Sequence, residues 1–222
     1  LGEEAVVRKM TRRDLVNYYQ THYSSLNSVV VVSGNFHPLR ARELIKEYFC
    51  KIRKKRKKAP QKVRERQRQP QLLVYYKKTD QTHICLGVRG YDIFHKDKYA
   101  LELLSVILGG NMSSRLFVEI REKRGLAYYV NTSTNFYTDS GYLVTQCGVA
   151  HDNLGKTVEV ILENYRKIKR EGVSSQELQK AKDYLKGVVS LSLETSDAQA
   201  SFLGHQEILT NKIEDLETKF KK

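Results

Sequence analysis

No stretch of the chain approaches the roughly 18–20 consecutive apolar residues that cross a bilayer as a helix. The opening residues, LGEEAVVRKM, are charged and have no apolar centre, so they do not read as a secretory leader. Position 1 is a leucine rather than an initiator methionine, and the sequence reads as part of something longer. Cysteine is scarce: Cys50, Cys85 and Cys147 stand far apart with no C-x-x-C pair. That spacing excludes a disulfide framework and a cysteine zinc site. Cys85 and Cys147 fall inside apolar runs and are expected to be small buried hydrophobes in a reducing, cytoplasmic compartment.

Several catalytic signatures are also missing. The six histidines (His22, His37, His83, His95, His151, His205) include no H-E-x-x-H or H-x-x-E-H, and His205 with Glu207 lacks a second histidine. No metal ligand is therefore assigned. There is no G-x-G-x-x-G after a strand and no Walker lysine, so no nucleotide cofactor is expected. No G-x-S-x-G elbow is present either, and Ser113 and Ser114 are accounted for as helix caps.

What the chain does have is basic charge, a net +14 over 222 residues. The segment from Lys51 to Arg68, KIRKKRKKAPQKVRERQR, carries eleven Lys or Arg against one Glu and so supplies +10 of it. The run contains no aromatic residue and is broken by Pro60, unlike a folded nucleic-acid face. It reads as a solvated linker between domains, with an anion-binding tether as the alternative.

On either side, the patterning predicts regular elements. Thr11 and Asp14 cap a helix carrying Leu15, Tyr18, Tyr19 and His22 on one face. SVVVVSG (Ser28–Gly34) predicts a buried strand, and Pro38 opens a helix through Phe49. One strand with two helices cannot close a core. Residues 1–50 are accordingly expected to be the closing part of a domain, followed by a linker at 51–70 and a second domain at 71–222. In the latter, QLLVYYK and THICLGVRG predict two strands, and KYALELLSVILGG predicts an apolar helix. A charged helix ends at Lys123, Arg124 and Gly125, and YYVNTSTNFY and GYLVTQCGVA form two further strands about a TDSG turn. Two long helices follow, the second with Ser174 and Glu177 as a capping box, and SFLGHQEIL predicts a short one. The fold class is α+β, an antiparallel sheet with segregated helices.

The stretch GGNMSSRLFVEIREKRGLAYYV places Arg121 near a helix end and Tyr128 seven residues on, across Gly125. A guanidinium and a phenol brought together there would be fixed donors for a substrate carbonyl or a developing oxyanion. The competing reading is ordinary packing at a helix–strand junction.

That stretch, with FYTDSGYLVTQCGV after it, closely resembles the second domain of insulinase/pitrilysin-type zinc peptidases, the family of the mitochondrial processing peptidases. MTRRDLVNYYQTHYSSLNSVVVVSGNF resembles the closing part of that family's zinc-binding first domain. The resemblance implies a processing-peptidase-like (LuxS/metallohydrolase-like) α+β domain that helps enclose an unfolded peptide. It implies that Arg121 and Tyr128 grip the substrate at the scissile bond. Zinc would belong to the other half, in the same polypeptide or in a homo- or heterodimeric partner. The implied function is part of a zinc metalloendopeptidase, the chain alone being inactive. The alternatives are a non-catalytic structural or presenting subunit, and an anion- or nucleic-acid-binding module on residues 51–68. The expected partners are an unfolded peptide and the zinc-binding half, without membrane or nucleic acid.

Overall fold

The computed structural model describes residues 2–55 and 60–222, so the middle of the basic run lies outside the described residues. By packing, the chain forms two compact units: the described residues up to Gln61 with Ser190–Lys221, and Lys62–Val189.

The second unit holds the core. Its sheet has three antiparallel strands, β1 (Thr82–Arg89), β2 (Ala127–Phe136) and β3 (Gly141–Val149), in the order β1-β3-β2. Alternation assigns each residue to a face. Leu143, Thr145, Cys147 and Val149 of β3 are buried, beside Val130 and Thr132 of β2. Helix α4 (Lys98–Gly109) contributes Leu108 to the same core, Leu116 and the segment Phe117–Glu122 that follows it add Leu116 itself and Ile120, and helix α5 (Leu154–Glu171) contributes Val160 and Ile161. Helices thus cover one face of the sheet. Within that layer Thr145 Oγ1 is 2.7 Å from both Thr132 Oγ1 and Tyr165 OH, a hydroxyl chain that satisfies three polar groups among apolar neighbours. Helix α6 (Ser175–Ser192) packs a smaller cluster, with Ala181 against Val106 and Ile107 of α4.

In the first unit, α1 (Glu4–Lys9), α2 (Arg12–His22) and α3 (Pro38–Phe49) precede the basic run, and α7 (Ser196–Thr210) and α8 (Leu216–Phe220) close the chain. The Thr11–Asp14 capping box and the Pro38 start form as expected. Among the described residues of this unit only Ser24 is buried.

Four expectations need correction. Ser28–Gly34 is not a buried strand: Val29, Val30 and Val32 are 39–43% exposed, and Ser33 hydrogen-bonds Gln199 of α7 instead of a neighbouring strand. QLLVYYK is likewise unpaired, with Leu72–Tyr76 between 76% and 94% exposed. Both runs have strand-forming side chains, but a strand exists only against a partner edge. Cys85 is exposed, because its parity on β1 turns it away from the helices; Cys147 is buried as expected. Finally, SFLGHQEIL belongs to a fifteen-residue helix, capped by Thr195, whose side chain accepts from Ala198 N. Among the described residues, no helix is long and apolar enough to cross a membrane.

Candidate functional site

The site begins where α4 ends. Asn111, rather than Ser113 or Ser114, organises the next turn: its Oδ1 accepts from both the Ser113 amide and the Ser113 hydroxyl. The Ser114 hydroxyl donates to the Asn111 carbonyl, so neither serine caps with its side chain. The helix that follows widens over Phe117–Glu122 into a π-helical turn, in which the Lys123 amide donates to the Val118 carbonyl at 2.9 Å. Such five-residue closures are rare and recur at functional sites. Leu116 and Ile120 are fully buried and fix this turn, leaving Arg121 on its exposed side.

Gly125 then reverses the chain. Its φ of +58° is open to glycine at no steric cost, and the Leu126 amide closes the end by donating to the Ile120 carbonyl at 2.8 Å. The basic residues expected in this last turn are both engaged: Lys123 Nζ and Arg124 Nη2 reach Glu119 at 2.7 and 3.3 Å. The Lys123 hydrogen bond chiefly holds the Glu119 carboxyl below its ordinary pKa.

Strand β2 opens with an irregularity. Ala127 faces Val149 and Tyr129 faces Gly148, so Tyr128 is an extra residue with no partner across the ladder. This bulge puts Tyr128 and Tyr129 on the exposed side in succession, between buried Ala127 and Val130. Tyr128 is 62% exposed. The Arg121 guanidinium lies over the Phe117 ring, 5.0 Å from its centroid. Neither Arg121 nor Tyr128 has a hydrogen bond or ion pair among the described residues, and none joins one to the other. Both are thus exposed donors on the two sides of the Gly125 turn, each held by its backbone and available to a ligand.

The sequence reading missed the support behind Tyr128. Tyr129 lies across Gly148 on the central strand, where an added Cβ would come within 2.6 Å of Tyr129 Cε1. Its hydroxyl shares a 3.1 Å hydrogen bond with His83 Nδ1 on the far strand. Burial pushes the Tyr129 phenol above its ordinary pKa. The signal was present in AYYV: Ala127 and Val130 both face inward three residues apart, which a regular two-residue alternation cannot do.

Among the described residues no three His, Cys, Asp or Glu side chains converge to hold a metal ion. A surface groove runs between the π-helical turn and α5, lined by Glu119, Arg124, Glu159, Glu163, Lys167 and Arg170. Its mixed charge and sparse apolar lining do not suit a small apolar ligand.

The family model described as "Peptidase M16 inactive domain" matches residues 9–185. This chain belongs to the peptidase M16 family. The chain is 33% identical over 217 residues to the uncharacterized zinc protease YmxG of Bacillus subtilis, covering 98% of this chain and 52% of that protein. It is 32% identical over 220 residues to the uncharacterized zinc protease Rv2782c of Mycobacterium tuberculosis, covering 98% and 50%. The chain therefore spans about half the length of the curated relatives it matches. Two solved structures share the fold. A protease from Helicobacter pylori superposes with a TM-score of 0.81 at 23% identity, covering 99% of this chain and 54% of that one. A peptidase M16 inactive domain from Pseudomonas fluorescens does so with a TM-score of 0.82 at 21% identity, covering 99% and 53%. The M16 chain is an α+β fold of the inactive-domain type, and its arginine and tyrosine lie within the matched region.

Proposed function

We propose that this M16 chain is the peptide-gripping part of a zinc metalloendopeptidase, with the metal held by another half of the enzyme. The observation that carries this reading is the pair of exposed donors Arg121 and Tyr128, neither hydrogen-bonded nor ion-paired among the described residues, on the two sides of Gly125 at a π-helical turn and a β-bulge. The names of the relatives, zinc proteases of about twice this length, support it. Zinc in that other half would activate the attacking water when bound. In this chain, the Arg121 fork and the Tyr128 hydroxyl donate to the peptide carbonyl at the scissile bond, and do so most strongly as its oxygen gains charge. The other half is either in the same polypeptide or a partner subunit, and the substrate is an unfolded peptide.

The lack of a metal-ligand group among the described residues also fits a non-catalytic subunit that presents peptides. One comparison separates the two. The full-length protein should cleave an unstructured peptide in a chelator-sensitive manner, whereas the 222-residue chain alone should bind no stoichiometric zinc and cleave nothing. A full-length protein that retains zinc and still cleaves no peptide would favour the presenting role.

A further inference from the structure

From Lys62 to Arg68 the sequence KVRERQR sets a basic residue at every second position. All seven residues are exposed, and no turn or helix interrupts them. The intervening positions are fastened to the end of the sheet. The Val63 amide donates to Asp139 Oδ2, in the β2–β3 turn, at 2.8 Å. Glu65 pairs with Arg89 Nε, at the end of β1, at 3.0 Å. Arg89 Nη2 also donates to the Gln67 carbonyl. Successive side chains of an extended chain point to opposite sides. An extended run with Glu65 turned onto Arg89 would turn the side chains of Lys62, Arg64, Arg66 and Arg68 to the opposite side. None of these four has an ion pair or hydrogen bond among the described residues.

A free basic tail would be a diffuse cloud of charge. This one is tied down at three consecutive odd positions, and in an extended chain its cations would recur at roughly 6.4–6.8 Å, two residues apart. An extended polypeptide presents alternate side chains at the same interval. Guanidinium forks suit carboxylates, and an arm that is already ordered loses less entropy on binding. No aromatic residue lies between Pro60 and Arg68 to stack a base, which sets the strip apart from single-stranded nucleic-acid platforms.

We propose that Lys62–Arg68 is a docking strip for an extended acidic peptide segment with carboxylates at alternate positions. It is separate from Arg121 and Tyr128 and stands whether or not they grip a scissile bond.

The test is fluorescence anisotropy on the full-length protein with two labelled peptides of equal composition. One alternates Glu with Ser, and the other carries its Glu residues in one block followed by its Ser residues. The alternating peptide should bind more tightly. Arg64→Gln with Arg66→Gln should weaken it about tenfold or more, since two charge-assisted contacts are lost. Arg89→Gln leaves all four basic residues in place but releases the two anchors at Glu65 and Gln67. It should weaken the alternating peptide about threefold, the size expected of a half-exposed ion pair, and leave the block peptide unchanged. Equal affinity for the two peptides, or no effect of Arg89→Gln, would overturn the proposal. Tighter binding of an oligothymidylate than of the alternating peptide would also overturn it, in favour of nucleic acid.

Discussion

Tyr128 owes its exposure to one extra residue. Without the bulge, strict alternation would give Tyr128 and Tyr129 opposite faces, and one tyrosine would be driven into the core beneath the sheet. The neighbouring Gly148 lets the Tyr129 ring lie flat across β3, so Gly148→Ala should push the ring aside, loosen the bulge and lower stability by about 1–3 kcal/mol. Denaturant melts of the full-length protein check this, and an unchanged midpoint would show that the ring moves freely. The cysteines give an independent check on the faces. Burial pushes the Cys147 thiol up to about 11, so at neutral pH it stays protonated and should resist thiol reagents. Cys50 and Cys85 are exposed and should react promptly. Two fast thiols and one that appears only with denaturant is the expected titration of this chain; a fast third would mean that β3 does not carry its inward face as described.

At the scale of elements, α4 and α6 show how the site is braced. The end of α4 touches the β2 backbone: an added Cβ on Gly109 would lie 2.7 Å from the Thr132 amide nitrogen. Because backbone cannot step aside as a side chain can, Gly109→Ala should cost more than Gly148→Ala in the same melts. Arg115, just before the π-helical turn, makes a two-pronged pair with Glu177 of α6, with both contacts at 2.6 Å. Glu177 was expected to complete a capping box. Its amide does donate to Ser174 Oγ, but its carboxylate is taken by Arg115. The Arg115 hydrogen bond holds the Glu177 carboxyl below its ordinary pKa. The stabilisation is therefore present above the unfolded-state carboxylate pKa and lost as pH falls through the depressed folded-state value. Glu177→Gln should cost about 1–2 kcal/mol near pH 7, a charge-assisted bond discounted for partial exposure, and much less once the wild-type carboxyl is protonated. A pH-independent cost would show that the loss is one of packing.

The helices were legible because a helix satisfies its backbone locally, and its caps and apolar stripe are written within one segment: Thr11–Asp14, Pro38, and Lys123–Gly125 all stand where the residues placed them. Strand β1 was legible as an apolar run, and β2 and β3 through the TDSG turn that joins them. The runs at Ser28–Gly34 and 71–77 carry the same local signal without a ladder, because strand pairing depends on an edge that a local window cannot contain. The π-helical turn was invisible for a related reason, since its buried Leu116 and Ile120 pack in a core built from segments distant in sequence. The Arg121–Tyr128 pair was readable as residues, whereas the bulge that exposes the tyrosine became clear only from its register.

For the molecule as a whole, burial is uneven. Among the described residues the buried apolar core lies in the Lys62–Val189 unit, and large apolar side chains such as Leu15, Tyr18, Tyr48 and Leu73 meet solvent. Amide exchange in the 222-residue chain should accordingly be slowest along β3 and fast across Val29–Val32 and Leu72–Tyr76. Slow exchange across either run in a verified monomer would mean that it has found a partner strand.

The central claim is that this half grips the peptide without holding the metal, and kcat/KM at constant zinc content tests it most directly. In the full-length protein, Arg121→Ala and Tyr128→Phe should each lower kcat/KM by roughly 10²–10³, about 2.7–4 kcal/mol of transition-state stabilisation, with zinc stoichiometry and melting temperature unchanged. Arg121→Lys should recover only part of the loss, because an ammonium lacks the planar fork. Lys123→Ala, which removes an exposed partner of Glu119 two residues away, should be nearly silent. Wild-type rates for Arg121→Ala and Tyr128→Phe in an active parent, or equal losses for Arg121→Ala and Lys123→Ala, would contradict the account and return the pair to ordinary surface packing.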